Sequence, residues 1–222
     1  MNVRLFLVLM LFIFLSKNTL ATNQFPDILI YNGKEYTLPV YFYETYLEKY
    51  FEKHPDKRPN GIISSALWRG YVATYEVRDN KFLLKDIEIE VWKDSTNTSN
   101  GLVWKSVIFE VFPDTNHLKM DWVTELLVAP YGELIDSTVF DYKSAYSNYL
   151  LFEIDKGDII HIENFNSKQF ENFKSKQFQI FKETSEYKRL LNEETGGEPD
   201  MFFDYYLKSH ITDYIDKILN NK

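Results

Sequence analysis

The chain has 222 residues, a formal net charge of −8 at pH 7 and no cysteine. That charge argues against nucleic acid or an anionic membrane as partner, since both require clustered Lys and Arg, and it leaves room for a basic protein. Without cysteine there is no disulfide framework, so stability must come from apolar burial, for which 18 Phe, 16 Tyr and 4 Trp supply the material.

The first residues, Met1 to Arg4, are followed by an apolar run from Leu5 to Leu15 and a small-residue exit ending at Ala21. A basic head, an apolar run and a small-x-small exit are the three parts of a signal peptide. As a helix the run would be about 16 Å long, about half a hydrocarbon core, too short to span it. The expectation is cleavage after Ala21 and export to the periplasm or the extracellular space, with no membrane insertion once 1–21 is removed. The leader carries Arg4 and Lys17 and no acid, so its loss makes the remaining chain more acidic.

The rest, 22–222, reads as a single α+β domain, strand-rich over 27–162 and helical over 167–220. Asp27–Tyr31 and Lys34–Leu38 flank Asn32-Gly33, the pair a type I′ hairpin turn prefers. Tyr43 to Lys53 has helical spacing, and His54 to Gly61 forms a polar loop.

The segment LWRGYVATYEVRDNKFLLKDIEIEVW, Leu67 to Trp92, reads as a hairpin turning at Asp79-Asn80. Straight pairing sets Trp68, Gly70 and Val72 against Val91, Ile89 and Ile87 on one face. It sets Arg69, Tyr71 and Ala73 against Glu90, Glu88 and Asp86 on the other. Arg69 is then an outward cross-strand partner of Glu90, a pair contributing about 0.2–1 kcal/mol. The functional alternative is a charged, aromatic patch of Arg69, Tyr71, Glu88 and Glu90 that holds a ligand or a partner.

Further strands are expected over Val103–Phe112, Leu118–Val128 and Glu133–Phe140, with a turn at Pro130–Gly132. Another hairpin runs from Tyr149 to Ile162 around Asp155–Asp158. A helix from about Ser167 to Lys182 carries Phe170, Phe173, Gln177, Phe178 and Phe181. A second helix follows over Ser185–Glu194. A terminal one, capped by Asp200, has the stripe Phe203, Leu207, Ile211, Tyr214 and Ile218. Successive hairpins followed by helices predict an antiparallel sheet with the C-terminal helices packed on it.

The four histidines form no zinc pattern. His161 and Glu163, on one strand face, are the nearest approach to metal-ligand spacing. Among motifs, no serine elbow, phosphate loop or calcium loop occurs, and no catalytic set or cofactor is predicted. Asn97-Thr98-Ser99 matches a glycosylation acceptor, and Tyr41, Tyr43, Tyr46, Tyr50, Tyr142, Tyr146 and Tyr149 could line a groove.

On Ala66–Ala73 (ALWRGYVA), Lys85-Asp86-Ile87 and Leu126–Leu134 the chain resembles a family of uncharacterised bacterial exported proteins. The resemblance extends from the Asn32-Gly33 hairpin to the last helix. It implies one domain and a hairpin at 67–92, and it carries over no activity, ligand or catalytic residue. The leading functional expectation is a non-enzymatic module that binds another protein, of inhibitor or immunity type. The alternative is a periplasmic hydrolase or small-ligand-binding protein with a pocket near Arg69.

Overall fold

The computed structural model describes residues 24–38, 46–94, 100–113, 118–136, 145–198 and 201–220. The leader, the Asn97 triplet, His117, Tyr41, Tyr43, Tyr142 and the Asp200 cap lie outside them.

Strands β1 (Asp27–Tyr31) and β2 (Lys34–Leu38) pair as predicted, and Asn32 and Gly33 take the left-handed φ of 51° and 71° that a type I′ turn needs. Helix α1 (Tyr46–Lys53) returns the chain, so that β3 (Val72–Arg78) enters parallel to β1, outside the all-antiparallel expectation. Strand β4 (Lys81–Trp92) follows the turn at Asp79-Asn80 and is the centre of the sheet.

β4 is flanked by β5 (Leu102–Ser106) and by the two-residue β6 (Leu118–Lys119). Next come β7 (Glu125–Asp136), β8 (Ala145–Asp155) and β9 (Asp158–Asn166). Among the described residues these strands form one mostly antiparallel sheet, ordered β2-β1-β3-β4-β9-β8-β7, with β5 and β6 also on β4. Helices α3 (Ser167–Phe181), α4 (Ser185–Thr195), α5 (Met201–Ser209) and α6 (Ile211–Tyr214) complete the α+β fold; α2 (Ile108–Val111) is a single turn after β5. No helix among the described residues is long and apolar enough to cross a membrane.

Two apolar cores lie on opposite sides of the sheet. One gathers Leu29, Tyr75, Phe82, Leu84, Phe152 and Ile154 under α1 and α2. The other gathers Leu126, Leu151 and Phe165 under Phe170, Phe178, Phe181 and Leu207 of α3 and α5. Strands β7 and β8 serve both, because alternate side chains point to opposite faces. Helix α3 starts where its capping box lies: Gln169 N donates to Asn166 Oδ1 (2.9 Å) and Asn166 N donates to Gln169 Oε1 (2.8 Å).

The central hairpin departs from its straight register. Pairing follows prediction from Arg78↔Lys81 to Tyr75↔Leu84, then shifts so that Thr74 meets Asp86 and Ala73 meets Ile87. Lys85 is the extra residue of a β-bulge. The apolar residues of β4 explain it: Phe82 and Leu84 are two apart, Ile87 and Ile89 are two apart, but Leu84 and Ile87 are three apart. Only a bulge keeps all four on the inner face. The inward partners are therefore Tyr71, Ala73, Tyr75 and Val77, the opposite phase to the one predicted for residues 68–73.

Four other expectations change, the first being the strand over Leu118–Val128, which divides into β6 and the start of β7 with 120–124 between them. The strand predicted over Val103–Phe112 ends at Ser106, and α2 follows. Pro130–Gly132 is no turn; β7 runs through it, with a register shift after Tyr131 and with Gly132 at φ +85°. Proline is tolerated there because β7 ends the sheet, where a missing N–H breaks no ladder. The terminal helix is interrupted at His210 (φ −109°, ψ 17°) and its second part ends at Tyr214, although Ile218 still packs on the core.

Candidate functional site

Arg69 sits in the turn before β3, and its side chain is fully buried. Its Nη1 donates to both carboxylate oxygens of Asp27 at 3.0 Å, and its Nη2 donates to the Phe25 carbonyl at 3.0 Å. Asp27 also accepts from Ala73 N (2.8 Å) and Tyr75 Oη (3.4 Å). Burial raises the Asp27 carboxyl above its usual 3.8, against the lowering pull of Arg69 and these donors. The Arg69 guanidinium lies 5.2 Å from the Tyr71 ring, and Tyr71 Oη donates to Glu48 Oε1 at 2.7 Å. Glu48 in turn accepts from both terminal nitrogens of Arg58, at 2.8 and 3.0 Å.

The pairing of Arg69 with Glu90 is thus corrected. Arg69 and Tyr71 brace the core end of β1 and α1, and a ligand pocket at Arg69 loses its anchor. Gly70 belongs to the same device. Its φ of +78° suits the turn, and its carbonyl oxygen would lie 2.0 Å from a Cβ at Gly61, so neither backbone leaves room for a side chain at residue 61. Ile62 N donates to the Glu90 carbonyl at 3.0 Å and fastens this segment to β4.

Glu88 and Glu90 remain on the outer face, together with Asp86, because β4 places Ile87 and Ile89 inward. Directly opposite on β5 stand Ser106, Trp104 and Leu102, facing Glu88, Glu90 and Trp92. Directly opposed residues share a face, so a column of three carboxylates runs into Trp92, Trp104 and Leu102. The rings are well exposed, Trp92 at 44% and Trp104 at 41%, and Phe25 packs edge-on to Trp104 at 5.6 Å. All of β5 is exposed, and β4 is its only strand partner among the described residues. Asp86 Oδ1 accepts from Ser106 Oγ at 2.6 Å. Neither Glu88 nor Glu90 has a cationic partner among the described residues, and partial burial, with Asp86 nearby, raises the Glu88 carboxyl above its usual 4.5.

This surface can do two things chemically. An unpaired strand edge offers backbone donors and acceptors to an added strand. Exposed indoles beside carboxylates attract Lys and Arg, by cation–π contact and by charge. Sequence reasoning found Glu88 and Glu90 but not Trp92 and Trp104. Their signal was the end of β5 at Ser106, hidden by the apolar continuation Val107-Ile108-Phe109.

His161 and Glu163 do share a face, with Nε2 to Oε2 at 3.3 Å and both side chains nearly half exposed. No group of three or more potential metal ligands occurs among the described residues. Tyr46, Tyr50 and Tyr149 pack on the cores rather than lining a groove: Tyr46 lies against Tyr75 and Phe82, and Tyr149 is stacked on Phe170 at 4.2 Å. No family model, no curated protein and no solved structure matches the chain.

Proposed function

We propose that this protein is an exported, non-enzymatic binding module, of inhibitor or immunity type, that holds a basic protein against the outer face of β4 and β5. The observation that carries this reading is the edge of β5 away from β4, which has no strand partner among the described residues, with Trp92, Leu102 and Trp104 exposed beside Asp86, Glu88 and Glu90. Aromatic anchors beside a charged rim are what a protein interface needs. The chain's net charge of −8 supports a partner of opposite sign. Export rests on the leader at 1–21, and membership of the bacterial exported family on the resemblance of the Ala66–Ala73 segment.

The test compares affinity capture on the wild-type protein with capture on Trp104→Ser and on the Glu88→Gln, Glu90→Gln double variant. A basic protein should be retained by the wild type, released by moderate salt, and lost at least tenfold by either variant, the loss of about 1.4 kcal/mol. All three positions are outside the cores, so both variants should fold. Retention that ignores both variants, or a partner that is acidic and insensitive to salt, overturns the reading. Amino-terminal sequencing of the protein from its native cell addresses export, with a first residue near Thr22 expected.

A further inference from the structure

Asn166 ends β9 and caps α3, so the helix leaves the sheet beside the last residues of the strand. Between the two lies an open cleft of about 330 Å³, lined by Glu163, Asn164, Gln169, Asn172, Phe173 and Lys176. It is separate from the β4–β5 face, and its volume falls at the lower end of small-ligand sites.

The lining is chemically specific. Asn164 lies opposite Leu150, so its amide faces the strand-side core, where its oxygen accepts from Tyr131 Oη at 2.8 Å; on the cleft side, Asn166 N donates to Gln169 Oε1 at 2.8 Å. That last bond occupies the Gln169 carboxamide oxygen and leaves its NH2 group as a donor. Asn172 adds a second carboxamide, Lys176 a further donor and Glu163 an acceptor. Phe173 is half-buried and leans on Phe165 at 5.1 Å between ring centres, giving the cleft one apolar ring. The charges of Glu163 and Lys176 cancel.

A complementary ligand has many oxygens that both accept and donate, an apolar C–H face for the ring, and no net charge. An anion would meet Glu163 and a cation would meet Lys176. We propose that this cleft binds a neutral saccharide. The Gln169 amide, held by the Asn166 N–H before the ligand arrives, is the preorganised part of the site. The open shape, which covers one side of a sugar, limits affinity to the millimolar range.

The test is a titration of the full protein followed by the side-chain amide signals of Gln169 and Asn172 in nitrogen-15 NMR. The probes are chitotriose, maltotriose and triglycine. One or both trisaccharides should move these signals saturably, and Asn172→Ala should weaken that binding about tenfold. Asn172 is exposed on a helix, where alanine is the better helix former, so this variant should keep its fold. The proposal fails if neither trisaccharide gives saturable shifts, or if triglycine moves the same amides as strongly, which would make the cleft a peptide groove. It also fails if Asn172→Ala binds the trisaccharide as the wild type does.

Discussion

Arg69 has its charge balanced inside the protein. Taking a guanidinium and a carboxylate out of water is costly, and the pair persists because Asp27 receives bonds from Arg69, Ala73 and Tyr75 together. Removing one partner leaves the other buried and uncompensated, so Arg69→Ala should cost about 3–5 kcal/mol in urea unfolding. Glu90→Ala should cost under about 0.5 kcal/mol, and the double variant should show the sum of the two, because the residues share no contact. The pH dependence has a definite sign. Asp27 is raised above 3.8 in the folded state, so the native protein keeps a proton that the unfolded chain has lost, and its contribution falls as pH rises through that range. Without Arg69 the carboxyl is raised further. The deficit of Arg69→Ala should therefore be largest near neutral pH and shrink as pH falls. A deficit that is constant with pH would argue against a buried carboxylate as its source.

At the scale of elements, the bulge at Lys85 decides which face of the central hairpin is which. Deleting Lys85 would restore straight pairing and leave Leu84 and Ile87 two apart, so Phe82, Leu84, Ile87 and Ile89 would all stay inward. Deleting Glu88 would instead set Ile87 and Ile89 on opposite faces and forfeit the burial of an isoleucine, about 1.5–3 kcal/mol. The Lys85 deletion should therefore keep a cooperative unfolding transition by circular dichroism, as Lys85→Ala should, whereas the Glu88 deletion should lower the midpoint clearly. This element also marks how far the fold can be read from the chain. The hairpins at Asn32-Gly33, Asp79-Asn80 and Lys156-Gly157 are legible because their turn residues take left-handed φ values. The face of α3 is legible because its phenylalanines recur at helical spacing. The three-residue step from Leu84 to Ile87 was legible too, and reading through it inverted Arg69 and Tyr71. The exposure of Trp92 and Trp104 was not legible, since a tryptophan in a strand looks the same whether the next strand is present or missing.

At the scale of the whole molecule, the two cores share strands β7 and β8. Leu126 and Leu151 belong to the helical side, while their neighbours Leu127, Leu150 and Phe152 belong to the other. Loss of the helical layer would expose one face of the same two strands whose other face closes the first core. The layers should therefore unfold as one unit. The distribution of chromophores makes this testable: no tryptophan belongs to the helical core, and Trp122 packs on the strand-side core. Tryptophan fluorescence thus reports the strand layer, and far-ultraviolet circular dichroism is weighted towards α3, α4 and α5. The two signals should lose structure at the same urea concentration. Leu207→Ala, which opens a cavity only in the helical core, should move both midpoints together, for a cost of about 2–5 kcal/mol. If the dichroism midpoint fell while the fluorescence midpoint stayed, the helical layer would be a separate folding unit. The shared strands would then fail to couple the cores, and a ligand held in the cleft beside α3 could not stabilise the β4–β5 face.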